Sequence, residues 1–163
     1  MTEMESFTFV QHTITSSYIR EYTYATVQDQ GDTLQLHVKQ YIPRVIKQDA
    51  ANAITIIAFG ALGMPKELYE PLWEELYRQS TFSSKFSIDS IWIADLVNTG
   101  ISATLNEEKL GDGPSWIEDS RDMFLLINLF RNQMRRPLIG LAHSAGGVIL
   151  SHLDFFHPRL FLR

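Results

Sequence analysis

The segment Leu138-Ile-Gly-Leu-Ala-His-Ser-Ala-Gly-Gly-Val-Ile-Leu150 constrains the fold more than any other part of the chain. An apolar run of strand length reaches Ala142, and an apolar helical stretch, Val148 to Phe156, stops before Pro158. Between them stands a small-x-Ser-x-Gly pattern, Ala142-His143-Ser144-Ala145-Gly146, with a second glycine at Gly147. A strand that turns at once into a helix brings its neighbours so close that the residues two before and two after the serine must be small. The serine is then held in a strained conformation with its hydroxyl exposed. The start of the helix directs backbone N–H groups, that of Ala145 among them, toward a developing negative charge. Ser144 is therefore the candidate nucleophile, with His143 and Gly146 shaping the turn. The plainer alternative is a Gly-rich strand–helix turn with an incidental serine.

The rest of the chain supplies a setting for such a turn. Ile54-Thr-Ile-Ile-Ala-Phe59 is an apolar run bounded by Gly60, as expected of a strand buried on both faces. Tyr69, Leu72, Trp73, Leu76 and Tyr77 then mark one helical stripe, with Pro71 in the first turn. Ile88 to Ala94 reads as a short strand and Asn98 to Ser115 as a polar loop. Met123, Leu126, Ile127, Phe130 and Met134 mark a second amphipathic helix, and Pro137 opens the strand Leu138 to Ala142. Upstream, Tyr18 to Thr26 and Leu34 to Ile42 read as two strands, joined through turn-forming Gln28 to Asp32 and so antiparallel. The order is two strands, then β-α-β-α-β-α, which implies an α/β fold with a parallel sheet covered on both faces. Ligands on such sheets bind beyond the carboxyl ends of the strands.

That rule singles out Gly60 to Lys66, Asp95 to Ser102 and His143 to Gly147. In the first, Gly63 would let the Met64 N–H turn toward Ser144 as a second oxyanion donor; a glycine turn serving only the connection is the alternative reading. No G-x-G-x-x-G pattern is present, so no dinucleotide cofactor is expected. His152 and His157 are not spaced as a helical zinc pair, and no cysteine exists, so no metal is expected. Asp95 reads as a loop anchor rather than a catalytic acid, Asp119 and Asp122 suit the start of a helix, and Glu74-Glu75 and Glu107-Glu108 suit solvated faces. His12 and His37 are expected far from the catalytic end, and His152 and His157 on the surface or at a cap.

A net charge of −5 and a pI near 5.5 argue against a nucleic-acid partner. The run Ile54 to Met64 is too short to span a membrane, for which about 18 apolar residues are needed. Met1 to Glu5 lack the basic and apolar character of a signal peptide, so a soluble intracellular protein is expected. The length of 163 residues suits one domain.

Pro65-Lys-Glu-Leu-Tyr-Glu-Pro71, Asn106-Glu-Glu-Lys-Leu-Gly111, Trp116 with Ser120-Arg121-Asp122, and His143-Ser144-Ala-Gly-Gly147 with His157-Pro-Arg159 resemble the α/β-hydrolases of fungal secondary metabolism. The likeness is greatest to members encoded in host-selective toxin clusters, and it extends over nearly the whole chain. It implies a peroxisomal enzyme handling acyl or CoA-linked intermediates, although Phe161-Leu162-Arg163 is not a Ser-Lys-Leu signal. The implied substrate is a small acyl ester or thioester, with Ser144 as nucleophile and Ala145 and Met64 as oxyanion donors, supported by Gly63, His143 and Gly146. Two departures stand out. The oxyanion loop reads Gly60-Ala61-Leu62-Gly63 where the family has His-x-Asn-Gly. In this fold the order is Ser, acid, His, and the chain ends about 19 residues after Ser144, short of the elements that carry the last two. The expectation is thus one partial α/β-hydrolase domain over residues 1–163. It is either a serine-dependent hydrolase completed by further chain, or an inactive truncated paralogue that binds a ligand or partner. A flavodoxin-like binding module is disfavoured, since no phosphate-cradling loop is present.

Overall fold

The structure is a computed structural model describing residues 4–45, 52–83, 85–113 and 115–162. The readings of Met1 to Glu5, and of Arg163 in the last tripeptide, therefore fall partly outside the described residues. Five strands form one sheet: β1 (Phe7–Thr15), β2 (Gln35–Pro43), β3 (Ala53–Phe59), β4 (Ser87–Ala94) and β5 (Leu138–Ala142). The helices are α1 (Glu70–Ser83), entered through a 3-10 turn at Lys66–Tyr69, then α2 (Gly100–Asn106), α3 (Trp116–Phe130) and α4 (Ala145–Phe156).

The strand order is β1-β2-β4-β3-β5. β1 and β2 pair antiparallel, as do β2 and β4, whereas β3 runs parallel to both β4 and β5. Side chains along a strand alternate between faces, and β3 shows it. Ile57 and Phe59 join Leu126, Ile149 and Leu153 on the α3/α4 face. Ile56 and Ala58 join Tyr69 and Trp73 on the α1 face. The loop leaving β3 thus goes to one face and the loop leaving β5 to the other. Such divergence opens a crevice at the carboxyl ends of two neighbouring strands, the usual place for a ligand in an open parallel sheet.

The later elements fall where periodicity and punctuation place them; three earlier readings need correction. The segment Tyr18–Thr26 is not a strand. The strand paired with β2 is Phe7–Thr15, an equally β-branched and aromatic run. Residues 16–22 instead lie against the start of α3. Ser17 donates through its amide and its hydroxyl to Asp122 Oδ1, both at 2.7 Å, and Arg121 donates to the carbonyls of Ile19 and Tyr18. Side chains from α3 satisfy that backbone, so no ladder is needed, and strand propensity is overridden by tertiary partners. The polar loop 98–115 contains α2, whose Ser102 and Asn106 are buried; Asn106 bonds to the backbone of Gln35 and Val97. Leu72 is 46% exposed, so the α1 stripe rests on Tyr69 and Trp73 rather than on it.

Candidate active site

Ser144 is exposed at the N-terminus of α4 with φ 53° and ψ −121°, a positive φ that a serine does not adopt freely. Such a conformation costs on the order of 1–3 kcal/mol and persists only where its surroundings enforce it. The surroundings here are backbone. The His143 amide donates to the Phe59 carbonyl at 3.0 Å, tying the elbow to the end of β3. Gly146 N–H donates to His143 C=O at 3.0 Å and Gly147 N–H to Ser144 C=O at 2.8 Å. A Cβ on Gly146 would sit 2.2 Å from the Phe59 carbonyl oxygen, so only glycine fits. Ala145 is the first residue of α4, where an N–H has no partner within the helix.

The loop after β3 faces this elbow. Ala61 to Met64 form a tight turn in which Gly63 takes φ 74° and the Met64 amide donates to the Ala61 carbonyl at 3.2 Å. The bond is long, and an amide at such a position can be shared with a second acceptor. The Ala61 amide donates to the Tyr69 hydroxyl at 2.8 Å, and that hydroxyl lies 3.0 Å from His143 Nδ1. Next along, Lys66 is wholly buried. Its amide donates to Asp95 Oδ1 at 2.9 Å and its ammonium to Oδ2 at 2.6 Å, while the Ile101 amide also donates to Oδ2 at 3.0 Å. Asp95 is an anchor tying the loops after β3 and β4 together. Sequence reasoning missed Tyr69 and Lys66. Their signal was a lysine and a tyrosine just after a Gly-rich turn, on the sheet end that also carries Asp95.

The histidines divide differently from expectation in one case. His37 sits at the carboxyl end of the sheet, because β2 runs antiparallel to β4; the Asp95 amide donates to its carbonyl at 3.0 Å. Burial and then the nearby Lys66 charge lower its pKa. β4 and β3 still separate β2 from β5, three strand spacings or ~14 Å, so His37 does not reach Ser144. His12 stacks on Trp92 at 5.5 Å and contacts Gln40. His152 lies within α4, ~12 Å down the helix from Ser144, and His157 caps its far end, ~20 Å away. His157 stacks face to face on Phe124 with ring centroids 3.8 Å apart. Among the described residues no side chain is hydrogen-bonded to the Ser144 hydroxyl, and no group of three or more His, Asp or Glu could hold a metal ion.

Asp119 lies in the first turn of α3 and Asp122 in the second, and both are buried. Asp122 pairs with Arg20 at 2.7 Å and Glu118 lies 3.6 Å from the same guanidinium. Asp119 beside them is pushed up to about 7, first by burial and then by the charge of Asp122. Glu74, expected on a solvated face, accepts the Ser6 amide at 3.0 Å. A groove of about 620 Å³ runs between α3 and α4, lined by Ile117, Phe124, Leu125, Leu153 and Phe156. Ser144 is not part of its wall. No helix among the described residues is long and apolar enough to cross a membrane.

No family model matches the chain. It is 49% identical over 157 residues to the type I acyl-CoA thioesterase mpaH of Penicillium roqueforti, covering 96% of this chain and 35% of that protein. It is 48% identical over the same length to mpaH' of Penicillium brevicompactum. The peroxisomal membrane protein LPX1 of Saccharomyces cerevisiae is 26% identical over 135 residues, covering 80% of this chain. The solved structure of the peroxisomal α/β-hydrolase Lpx1 from that yeast superposes with a TM-score of 0.82 at 24% identity, over 96% of this chain and 43% of Lpx1. The chain thus spans about a third of the length of the curated relatives it matches. The first two strands antiparallel, the later ones parallel, and the order β1-β2-β4-β3-β5 are the N-terminal part of an α/β-hydrolase fold, and by sequence and structure this chain resembles that superfamily.

Proposed function

We propose that the chain carries the nucleophile half of a serine-dependent hydrolase or acyltransferase acting on a small acyl ester or thioester, with Ser144 as nucleophile. The observation that carries this reading is the positive φ of Ser144, enforced by backbone at the crevice between β3 and β5. The thioester is the favoured substrate because two close relatives bear the name of acyl-CoA thioesterase. In the reaction, Ser144 Oγ attacks the carbonyl carbon as a general base takes its proton. The oxyanion is held by the Ala145 amide and by the Met64 amide, the latter shared with the Ala61 carbonyl. Collapse breaks the C–S or C–O bond, and the base returns the proton to the leaving thiolate or alkoxide. Water, or another acyl acceptor, then releases the acyl group by the reverse sequence. Gly63 and Gly146 permit the two turns, and His143 links them.

A serine without a base is a weak nucleophile. Among the described residues no histidine reaches Ser144, so this reading requires a histidine and an acid from a longer form of this protein or from a second chain. Residues 1–163 make up one partial domain, and the working location is the peroxisome, by likeness to Lpx1. The second reading, an inactive truncated paralogue binding a ligand or partner, is favoured by the absence of any hydrogen-bonded side chain at the Ser144 hydroxyl among the described residues. The two separate on a fluorophosphonate probe. Labelling of the purified chain above the Ser144→Ala background supports the hydrolase reading for this chain by itself. Background-level labelling of the chain alone is what a missing base gives on this reading; background-level labelling of a longer form that carries the histidine and acid overturns it.

A further inference from the structure

We propose that Tyr69 is a positioning residue: its hydroxyl pins the turn after β3 to the elbow and sets where the Met64 amide points. The kinetic consequence rests on the reading of Ser144 above; the geometry does not. A phenol hydroxyl has one proton to give and lone pairs to accept with. Tyr69 accepts the Ala61 amide at 2.8 Å, meets His143 Nδ1 at 3.0 Å, and has Met64 Sδ at 3.9 Å. One buried oxygen therefore touches both arms of the turn and the residue that precedes Ser144.

The connection to the Met64 amide runs through a single residue. Ala61 gives its N–H to Tyr69 and receives the Met64 N–H on its carbonyl at 3.2 Å. If Ala61 is released, the acceptor that orients Met64 moves with it. Tyr69 has little freedom of its own. Its ring stacks on the fully buried Trp73, with centroids 6.0 Å apart, and presents an edge to His143 at the same distance. Three residues earlier, Lys66 is fastened to Asp95 by two bonds. The phenol is thus fixed at the ring and its oxygen divides itself between two loops. A tyrosine used only to fill the core would need no partner on the elbow.

The test uses the 163-residue chain, with amide exchange followed by NMR. Tyr69→Phe keeps the ring and removes the oxygen. Exchange at Ala61 is expected to speed up roughly tenfold, about the worth of one lost buried hydrogen bond, and at Met64 several-fold, while Ile57 and Ala58 in β3 stay unchanged. His143→Ala is expected to speed Ala61 exchange as well, from across the crevice, and His143→Gln to restore it. Unchanged Ala61 exchange in His143→Ala overturns the proposal. Should the variants not fold, the wild-type chain decides: a slowly exchanging Tyr69 hydroxyl proton, cross-relaxing with the Ala61 amide and the His143 ring, is expected, and its absence overturns the tether. On the kinetic side, in a longer form that supplies the base, Tyr69→Phe is expected to lower the maximal rate of fluorophosphonate labelling at Ser144 about tenfold with the half-saturating probe concentration unchanged. Full labelling alongside fast Ala61 exchange overturns positioning. A longer form that carries the base and still does not label counts against the Ser144 reading, and the exchange results still decide Tyr69.

Discussion

The two loops that meet at the crevice are held in opposite ways. The elbow after β5 is fixed by backbone: His143 and Phe59 share a peptide hydrogen bond, and Gly146 fits only because it has no Cβ. The loop after β3 is fixed by side chains from other elements, Tyr69 at one end and the buried Lys66–Asp95 pair at the other. The backbone-held elbow stores its strain in one short turn, although the Phe59 carbonyl that clamps it belongs to a strand distant in the sequence. The β3 loop is held by side chains, that of Tyr69 shortly after it and that of Asp95 at the end of β4, and loosens when one of them changes.

Substitutions on both loops test that contrast. The largest effect is expected at Asp95→Ala, which leaves the fully buried Lys66 with only the partly exposed Glu67 carboxylate, 3.1 Å away, and two amides without an acceptor. Breaking one side of a buried pair costs roughly 3–5 kcal/mol, so chemical denaturation should show that loss, or no folded protein at all. A loss below 1 kcal/mol would mean the β3 loop does not depend on the pair. At the elbow, Gly146→Ala drives a Cβ into the Phe59 carbonyl and should cost roughly 1–3 kcal/mol, whereas Gly147→Ala, with open space around it, should stabilise by up to about 1 kcal/mol as alanine replaces glycine in a helix. Equal effects at the two glycines would break the claim that backbone contact sets this turn.

Strain gives the next, smaller effect. Ser144→Gly removes the side chain that objects to φ 53°, and should raise the melting temperature relative to Ser144→Ala, a difference of about 1 kcal/mol. If the two variants melt together, the elbow stores no strain.

The side-chain-held pattern extends to residues 16–22, which rest on the carboxylates at the start of α3, and there it depends on pH. Asp119 is pushed up to about 7 in the folded protein from 3.8. Between those values the folded state keeps a proton that the unfolded chain has lost. The stability contributed by protonated Asp119 is therefore present near pH 4 and lost as pH rises toward 7. The slope attributable to this one group approaches 1.4 kcal/mol per pH unit at most. Asp119→Asn should flatten the pH 4–7 stability profile; a variant with the wild-type slope would remove Asp119 as its cause.

The difference between the loops matches what could be read before the fold was known. The elbow was legible because its requirements are local: an apolar strand, small neighbours, a glycine and a helix start lie within about a dozen residues. β3 and α4 were legible for the same reason. Phe7–Thr15 was passed over for Tyr18–Thr26, since both are β-branched and aromatic, and only the carboxylates of Asp122 and Glu118, a hundred residues on, satisfy the second as a loop. The short helix α2 is polar by composition, and its buried Ser102 and Asn106 have a role only when β2 and Asp95 lie beside them. The Gly-rich turn that carries Met64 is visible in the sequence, while the bond of its amide to Ala61 and the Tyr69 hydroxyl behind it come from packing.

By itself, then, the sequence determined the parallel α/β character of the chain and the position of its strained serine, because periodicity and the strand, small-residue turn and helix pattern are written in adjacent residues. Tertiary structure decided everything that depends on a long-range partner. It brought His37 to the carboxyl end of the sheet by the antiparallel run of β2. It joined Lys66 to Asp95 across two strand ends, and it set one tyrosine oxygen between the turn and the elbow. Hydrogen bonds and ion pairs reward a geometry that no stretch of chain possesses until distant strands have taken their places.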